Sequence, residues 1–207
     1  MAEIRIYTFE ETDSRSPEAR ILAAASELTE KPAAAGEWKV DRTERGKPFF
    51  PGHPEVYLSI THSGAYWVCA LADSPVGIDL QEHVTRPAGL SEDREAHCRK
   101  MASRFFHKKE AVYVQEKDTY RRFFRVWAAK ESYVKYTGSG IDGQFGGFSV
   151  IPEESDRLPD ICKNQQVSWK AADAWFAEYP AESSDGIPGY TLCICTKTPA
   201  GIRRIVL

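Results

Sequence analysis

Two charged side chains occupy an unexpected place in the segment RVWAAKESYVKYTGSG, residues 125–140, which has the periodicity of a helix. At about 100° per residue, Glu131 and Lys135 fall inside the apolar stripe that contains Trp127 rather than opposite it. On a surface, a Glu–Lys pair four residues apart contributes only about 0.2–0.5 kcal/mol. Beside large apolar residues the pair would be partly desolvated, which is costly unless it meets a partner, a metal or a charged ligand. The pattern therefore favours a functional role for Glu131.

A second carboxylate interrupts a predicted strand in SPVGIDLQEH. Strand alternation places Gly77, Asp79 and Gln81 on one face, opposite the apolar residues. Aspartate is disfavoured within a strand, and the neighbouring glycine leaves space for an approaching group. The alternation by itself leaves two interpretations open, an oxygen ligand aimed into a cleft or an aspartate that bonds to a turn.

Two carboxylates with a neutral amide nearby suit Mg²⁺, which takes one or two carboxylates and completes its octahedron with water and substrate phosphates. The candidate metal ligands are Asp79, Gln81 and Glu131. Phosphate would need cationic partners, for which Lys47, Lys130 and Lys135 are available. The turn THSG adds His62, two hydroxyl groups and free backbone amides, which suit phosphate oxygens. Lys130 has a second open role, pairing with a neighbouring carboxylate.

Five short motifs follow one another in a fixed order. They are GKP at 46–48, SITHSG at 59–64, VGIDLQ at 76–81, RFFHKKE at 104–110 and WAAKESYVK at 127–135. The ordered set resembles the 4′-phosphopantetheinyl transferases, specifically the surfactin-synthetase-activating type, which consists of two fused halves and acts as a monomer. GKP or GID alone would mean little, whereas the ordered set that ends in W-x-x-K-E-S-x-x-K is highly specific. The resemblance covers about residues 46–150.

The resemblance implies a reaction. Such enzymes transfer 4′-phosphopantetheine from coenzyme A to a serine of an apo acyl or peptidyl carrier protein and release adenosine 3′,5′-bisphosphate. By resemblance, Asp79 and Glu131 hold Mg²⁺ against the pyrophosphate. Gln81 stands where members often carry an acid, so we expect weaker metal binding rather than none.

The resemblance also implies the coenzyme A contacts and the catalytic groups. We expect Lys47 and Thr61 near the 3′-phosphate, His62 near the pyrophosphate and Lys135 at the phosphate under attack. Glu131 could take the serine proton directly or through water. The implied catalytic residues are Glu131, Lys135 and His62. The implied coenzyme A contacts are Lys47, Pro48, Thr61, His62, Lys130 and Lys135. The N-terminal portion offers Arg15, Arg20 and Lys31 as further basic candidates.

The elements that must position these groups are helices and antiparallel-looking strands in both parts of the chain. Strands are predicted over 3–9, 56–61, 66–72, 75–81, 145–151, 166–171, 174–179, 189–197 and 201–207. Helices are predicted from Pro17 behind a Ser16 cap, over 91–106 and over 118–138. We predict an α+β fold of two halves, residues 1–80 and 81–207, each a small antiparallel sheet packed with a long helix. The resemblance implies a pseudo-twofold relation between the halves and an active site at their interface.

The composition is that of a folded protein, with 207 residues, of which 42% are hydrophobic and 12% aromatic. A net charge of −3 gives no argument for nucleic acid. No apolar run approaches the ~20 residues that a bilayer helix needs, and the N-terminal sequence is too acidic for a signal peptide, so we expect a cytoplasmic protein without a membrane partner. The 5 cysteines, at irregular positions, favour buried reduced thiols over a metal cluster.

Two other functions stay open. A Mg²⁺-dependent phosphohydrolase or nuclease also uses carboxylates and lysines, usually with more carboxylates than this chain offers. A homologue that only binds coenzyme A or carrier protein is favoured by Gln81 and disfavoured by the retained ionisable motif residues. The basic–aromatic segment 99–109 is either a docking site for an acidic carrier protein or a solvated helix face.

Overall fold

The chain folds into helices and small sheets, and the computed structural model describes residues 3–34, 36–83, 91–140, 145–161, 165–180 and 183–207. The strands are β1 (Glu3–Glu10), β2 (Asp41–Arg42), β3 (Pro48–Phe49), β4 (Tyr57–Ser63), β5 (Tyr66–Ala72), β6 (Val76–Glu82), β7 (Val167–Ala171), β8 (Ala174–Tyr179), β9 (Tyr190–Thr196) and β10 (Gly201–Val206). The helices are α1 (Pro17–Thr29), α2 (Ser91–Phe105), α3 (Lys108–Glu116) and α4 (Thr119–Thr137). The predicted α+β class is confirmed.

The first sheet has the strand order β10-β1-β5-β4 and carries α1 on one face. The α1 helix begins as predicted, because the Ser16 side chain accepts a hydrogen bond from Ala19 N and Pro17 takes the first position. The sheet is mixed rather than purely antiparallel, since β10 runs parallel to β1. That parallel pairing joins the two ends of the chain, and alternation within each strand could not have predicted it.

The second sheet, β6-β9-β8-β7, is antiparallel, and the 19-residue helix α4 packs on it. Gly77 on β6 makes this packing close, because a Cβ there would overlap the Ser132 carbonyl oxygen and the Tyr136 nitrogen on α4. The group that approaches Gly77 is therefore the backbone of α4, which lies directly over β6.

Hydroxyl groups join the two sheets. Ser59 Oγ on β4 accepts a hydrogen bond from Ile78 N on β6 at 3.0 Å, and Thr61 Oγ1 accepts one from Leu80 N at 3.3 Å. Ser63 Oγ continues the series by accepting from the backbone N of residue 82 at 3.0 Å. The alternating hydroxyls of SITHS thus satisfy edge N–H groups of β6 that would otherwise lack partners. This contact fixes β4 beside the strand that carries Asp79.

Two elements differ from the predicted ones. Residues 145–151, all of which are described, form turns and extended chain rather than a strand. Their backbone groups bond to buried side chains instead of a neighbouring strand. The α3 helix was not predicted; its N-terminus is a capping box formed by His107 and Glu110.

The predicted division at residue 80 stays a prediction. Two strand pairings join the predicted halves: β6 pairs with β9, and β1 pairs with β10. Four cysteines are buried free thiols, as expected, and the fifth lies outside the described residues. Among the described helices, none is both long and apolar enough to cross a membrane.

Candidate active site

Asp79 is buried in the middle of β6, with 3% of its surface exposed, and both carboxylate oxygens accept hydrogen bonds. Lys135 Nζ donates to Oδ1 at 2.7 Å and Thr61 Oγ1 donates to the same oxygen at 3.1 Å. Gln81 Nε2 donates to Oδ2 at 2.8 Å. Three of the predicted site residues therefore converge on one carboxylate.

Glu131 lies beside this group on α4 and is 9% exposed. Burial and the nearby negative charge of Asp79 raise the pKa of Glu131 from 4.5 to about 7, while the Lys135 ammonium opposes the rise. A carboxyl group with this pKa is one whose negative charge is only partly compensated by the protein. The site therefore carries more carboxylate than its own cation balances.

The donor set of this group fits a hard divalent cation. No cluster of three or more His, Cys, Asp or Glu side chains suited to a metal occurs in the described part of the chain, so the available ligands are two carboxylates and the Gln81 amide. Mg²⁺ commonly takes only one or two protein carboxylates. Added positive charge would relieve the repulsion that raises the pKa of Glu131.

A cleft of about 300 Å³ opens beside Glu131. Its lining residues are Arg42, Arg45, Gly46, Lys47, Pro48, Leu58, Ser59, Ile60, Glu131, Val134, Lys135, Gly138 and Gly140. The walls of the cleft thus come from the GKP segment, from residues 58–60 of β4 and from the second half of α4. Four of its lining side chains are cationic and one is anionic, which suits a ligand with several phosphates.

Arg42 and Arg45 are cleft residues that the sequence reasoning missed. Arg42 Nη1 donates to Gly46 O at 2.9 Å, and Arg45 Nη1 donates to Ser139 O at 3.0 Å. Both guanidinium groups keep further donors. The available signal was the density of basic residues in DRTERGKP, directly before the motif lysine.

Lys47 lines the cleft, and its ammonium already has a partner. Lys47 Nζ donates to Tyr136 O in the last turn of α4 at 2.6 Å, a favourable place for a cation because the C-terminal carbonyls of a helix are partly negative. Burial lowers the pKa of Lys47. Thr61 is 5% exposed and is not among the residues that line the cleft; its hydroxyl donates to Asp79 Oδ1.

The family of the chain follows from comparison with known proteins. Residues 75–188 match the family model described as the 4′-phosphopantetheinyl transferase superfamily, and this span contains Asp79, Glu131 and Lys135. The chain belongs to this superfamily.

Individual relatives agree with this assignment. The 4′-phosphopantetheinyl transferase Sfp of Bacillus subtilis (strain 168) is 30% identical over 159 residues, which are 75% of this chain and 62% of that protein. The transferase psf-1 of Bacillus pumilus is 29% identical over 167 residues, 77% of this chain and 61% of that protein. The chain thus spans about three fifths of the length of these relatives. The predicted resemblance to this type of phosphopantetheinyl transferase is confirmed.

His62 is not brought together with the other site residues. Neighbouring residues of a strand point to opposite faces, so His62 lies on the face of β4 away from Asp79 and is exposed. Its partner in the ladder is Trp67, and the Arg20 guanidinium lies 5.7 Å from the centroid of that indole ring. His62 therefore lies on the same face of the sheet as Trp67 rather than beside the carboxylates.

Of the two roles open to Lys130, binding phosphate or pairing with a carboxylate, the structure shows the pairing with a carboxylate. It is 0% exposed, and its Nζ lies 3.0 Å from Glu110 Oε2, 2.7 Å from Phe148 O and 3.8 Å from the centroid of the Phe148 ring. Glu110, also 0% exposed, accepts hydrogen bonds from the backbone nitrogens of His107 and Val150. The pair ties α4 to α3 and to residues 148–150, and it does not face the cleft.

A second groove of about 520 Å³ begins at Gln81. Its lining residues are Gln81, Arg94, His97, Cys98, Met101, Tyr120, Phe123, Phe124 and Trp127. The aromatic floor comes from α4 and the opposite wall from α2. We call Asp79 and Glu131 the carboxylate centre. Gln81 therefore contacts this centre through Asp79 and also lines an apolar groove.

Replacing Gly77 by alanine should separate β6 from α4. The new methyl group overlaps backbone atoms of α4 that cannot move alone, so we expect a loss of about 1–3 kcal/mol of unfolding free energy together with reduced activity, since Lys135 shifts away from Asp79. Urea unfolding measures the first effect. Gly201→Ala, where a Cβ meets nothing within 4 Å, is the matched control. Equal stability of the two variants would show that α4 does not depend on this contact.

Proposed function

We propose that the protein transfers 4′-phosphopantetheine from coenzyme A to a serine hydroxyl of an apo acyl or peptidyl carrier protein. The serine oxygen forms a new bond to the phosphorus that carries pantetheine, and the bond from that phosphorus to the adenosine 3′,5′-bisphosphate oxygen breaks. The observation that carries the proposal is the cationic cleft, which is lined by Glu131 and by the Lys135 ammonium that contacts the buried Asp79 carboxylate.

Each side chain has a role that its position supports. Arg42, Arg45 and Lys47 offer positive charge along the cleft for the nucleotide phosphates. Lys135, which also lines the cleft, can neutralise charge that develops on the phosphate under attack. Glu131 accepts the serine proton directly or through water.

Asp79 and Glu131 would hold Mg²⁺, and the Gln81 amide, turned to present its oxygen, would complete the set. When bound, Mg²⁺ supplies positive charge that offsets the charge of the pyrophosphate. The neutral amide adds no charge of its own, so we propose a metal affinity below that of relatives with a third acid. The Thr61 hydroxyl keeps Asp79 in one orientation through its hydrogen bond at 3.1 Å.

We also propose that the active site lies between two halves related by a pseudo-twofold axis. The support for this arrangement is the lining of the cleft, which takes the residues numbered 42–60 from one side of the predicted division and residues 131–140 from the other. The monomeric state, the cytoplasmic location and the absence of a nucleic-acid or membrane partner stay predictions.

Intact-mass spectrometry of apo carrier proteins tests the function. Purified protein is incubated with coenzyme A, Mg²⁺ and a panel of apo acyl and peptidyl carriers, each of which should gain the mass of one phosphopantetheine. The gain should disappear with EDTA and with a serine-to-alanine carrier. Coenzyme A binding without any mass gain would instead support a homologue that only binds its ligands, and release of phosphate would support a phosphohydrolase.

The basic segment 99–109 is our proposed docking surface for the acidic carrier protein. Arg99, Lys100, Arg104 and Lys108 are exposed, whereas Lys109 donates to the backbone oxygens of residues 152 and 153. Four other residues of α2, Arg94, His97, Cys98 and Met101, line the groove that begins at Gln81. A carrier bound along α2 would therefore lie close to the carboxylate centre.

The double variant Lys100→Glu/Arg104→Glu is expected to raise the KM for the carrier roughly tenfold, since two exposed attractive contacts become repulsive. The KM for coenzyme A should stay unchanged, and raising the salt concentration should narrow the difference between variant and wild type. Lys170→Glu, an exposed residue on β7, is the charge-matched control for one substitution. Equal carrier KM values in all three proteins would place docking elsewhere.

A further inference from the structure

Asp79 already has a cation in contact with it, the ammonium of Lys135 at 2.7 Å. Thr61 and Gln81 supply its other two donors. An ammonium at this distance from a carboxylate that is 4% exposed offsets much of the charge that burial makes unfavourable. In the ligand-free protein, Lys135 thus supplies the positive charge that Asp79 needs.

Glu131 lacks an equivalent partner. No hydrogen bond or ion pair to its carboxylate occurs in the described residues, although Glu131 is only 9% exposed. One ammonium therefore serves a site with two carboxylates, and it lies on Asp79. A divalent cation between Asp79 and Glu131 would compete with this ammonium for the same oxygen.

The Lys135 side chain has space to move away from Asp79. Its side chain is 29% exposed and lines the cleft in which we propose that the phosphates bind. A lysine ammonium is a compact charge on a flexible stem, so rotation about that stem carries it from Asp79 toward a phosphate in the cleft without any movement of α4.

We propose that Lys135 is a displaceable counter-ion: it holds Asp79 in the ligand-free protein, yields that position to the divalent metal, and passes to the phosphate of coenzyme A. The proposal rests on the proposed function and predicts that the metal and coenzyme A bind this site cooperatively. When metal binds alone, it must displace the Lys135 ammonium from Asp79, and the ammonium then has no anionic partner in the cleft. Phosphate alone finds the ammonium engaged by Asp79. Each ligand therefore promotes the binding of the other, and the coupling is reciprocal.

Manganese binding measured by electron paramagnetic resonance tests the proposal without any transfer reaction. In Lys135→Met, Mn²⁺ alone should bind about tenfold tighter than in wild type, because the competing ammonium is gone. Coenzyme A should tighten Mn²⁺ binding in wild type by about tenfold and much less in the variant. Lys135→Gln is a second variant of intermediate polarity that should behave in the same direction. Lys170→Met, a lysine on β7, controls for the loss of one positive charge.

The outcomes separate this proposal from the function on which it rests. If wild type modifies a carrier but Lys135→Met and Lys135→Gln bind Mn²⁺ no tighter than wild type, the counter-ion role is overturned and the transferase stands. If coenzyme A tightens Mn²⁺ binding equally in wild type and both variants, Lys135 does not carry the coupling. If none of the proteins binds Mn²⁺ and wild type transfers nothing, both proposals fail.

Discussion

Glu131→Gln is expected to lower phosphopantetheine transfer by at least roughly 100-fold while making the metal-free protein more stable at pH 8. The substitution keeps the shape of the side chain and removes the negative charge that we propose binds the metal and accepts the serine proton. The same charge is unfavourable in the ligand-free fold, where burial and Asp79 raise the pKa of Glu131 to about 7. Function and stability should therefore change in opposite directions.

The pH dependence follows from the difference between the folded pKa of about 7 and the ordinary value of 4.5. Below pH 4.5 the carboxyl group is protonated in both the folded and the unfolded state, so it adds no penalty. Between these values the unfolded state ionises first, and above pH 7 the penalty is complete, at most about 3 kcal/mol. Glutamine avoids this penalty, so the variant should gain stability over wild type as the pH rises from 4.5 to 7.

Urea unfolding at pH 4.5 and pH 8 in EDTA measures this effect, and Mg²⁺ is then added at pH 8. Wild type should gain more from Mg²⁺ than the variant, because only wild type offers the second carboxylate. Glu154→Gln, an exposed residue, is the control and should leave both stability and transfer unchanged. A Glu131→Gln protein with normal transfer would remove Glu131 from the site, and one with lower stability at pH 8 would contradict the electrostatic argument.

Local patterns in the sequence were sufficient to predict the carboxylate centre. Glu131 and Lys135 stood out because they interrupt an apolar helix stripe, and Asp79 stood out because it interrupts a strand. Each signal lies within one element. Strand alternation also separates Thr61 from His62, since neighbouring residues face opposite sides of β4. The coenzyme A contacts expected of Thr61 and His62 stay predictions.

Contacts between distant residues could not be predicted in the same way. Lys130 and Glu110 form an ion pair although they are 20 positions apart in the chain. Nothing in the sequence of either helix indicates which lysine of WAAKESYVK, Lys130 or Lys135, pairs with Glu110. Residues 145–151 were predicted to form a strand, yet Phe148 O and Val150 N bond to this buried pair. The segment has no need of a neighbouring strand, because its backbone groups are already satisfied.

Lys130→Met is expected to be the most destabilising single substitution considered for this protein, at about 3–5 kcal/mol of unfolding free energy. The methionine fills the volume but leaves the Glu110 carboxylate, which is 0% exposed, without a countercharge. Burial already raises the pKa of Glu110, and the Lys130 ammonium opposes that rise. Without the ammonium the carboxyl group should be protonated on folding, and the variant should lose stability most strongly at high pH.

A double-mutant cycle separates the ion pair from simple packing. Glu110→Gln keeps an oxygen that can accept from Val150 N but removes the charge, so Lys130→Met/Glu110→Gln should be more stable than Lys130→Met alone. Lys108→Met, an exposed lysine on α3, should change stability by less than about 0.5 kcal/mol. Additive losses in the cycle would mean that the pair contributes no coupling. Coupled losses would instead show that an interaction between α3 and α4, the helix that also carries Glu131, stabilises the fold.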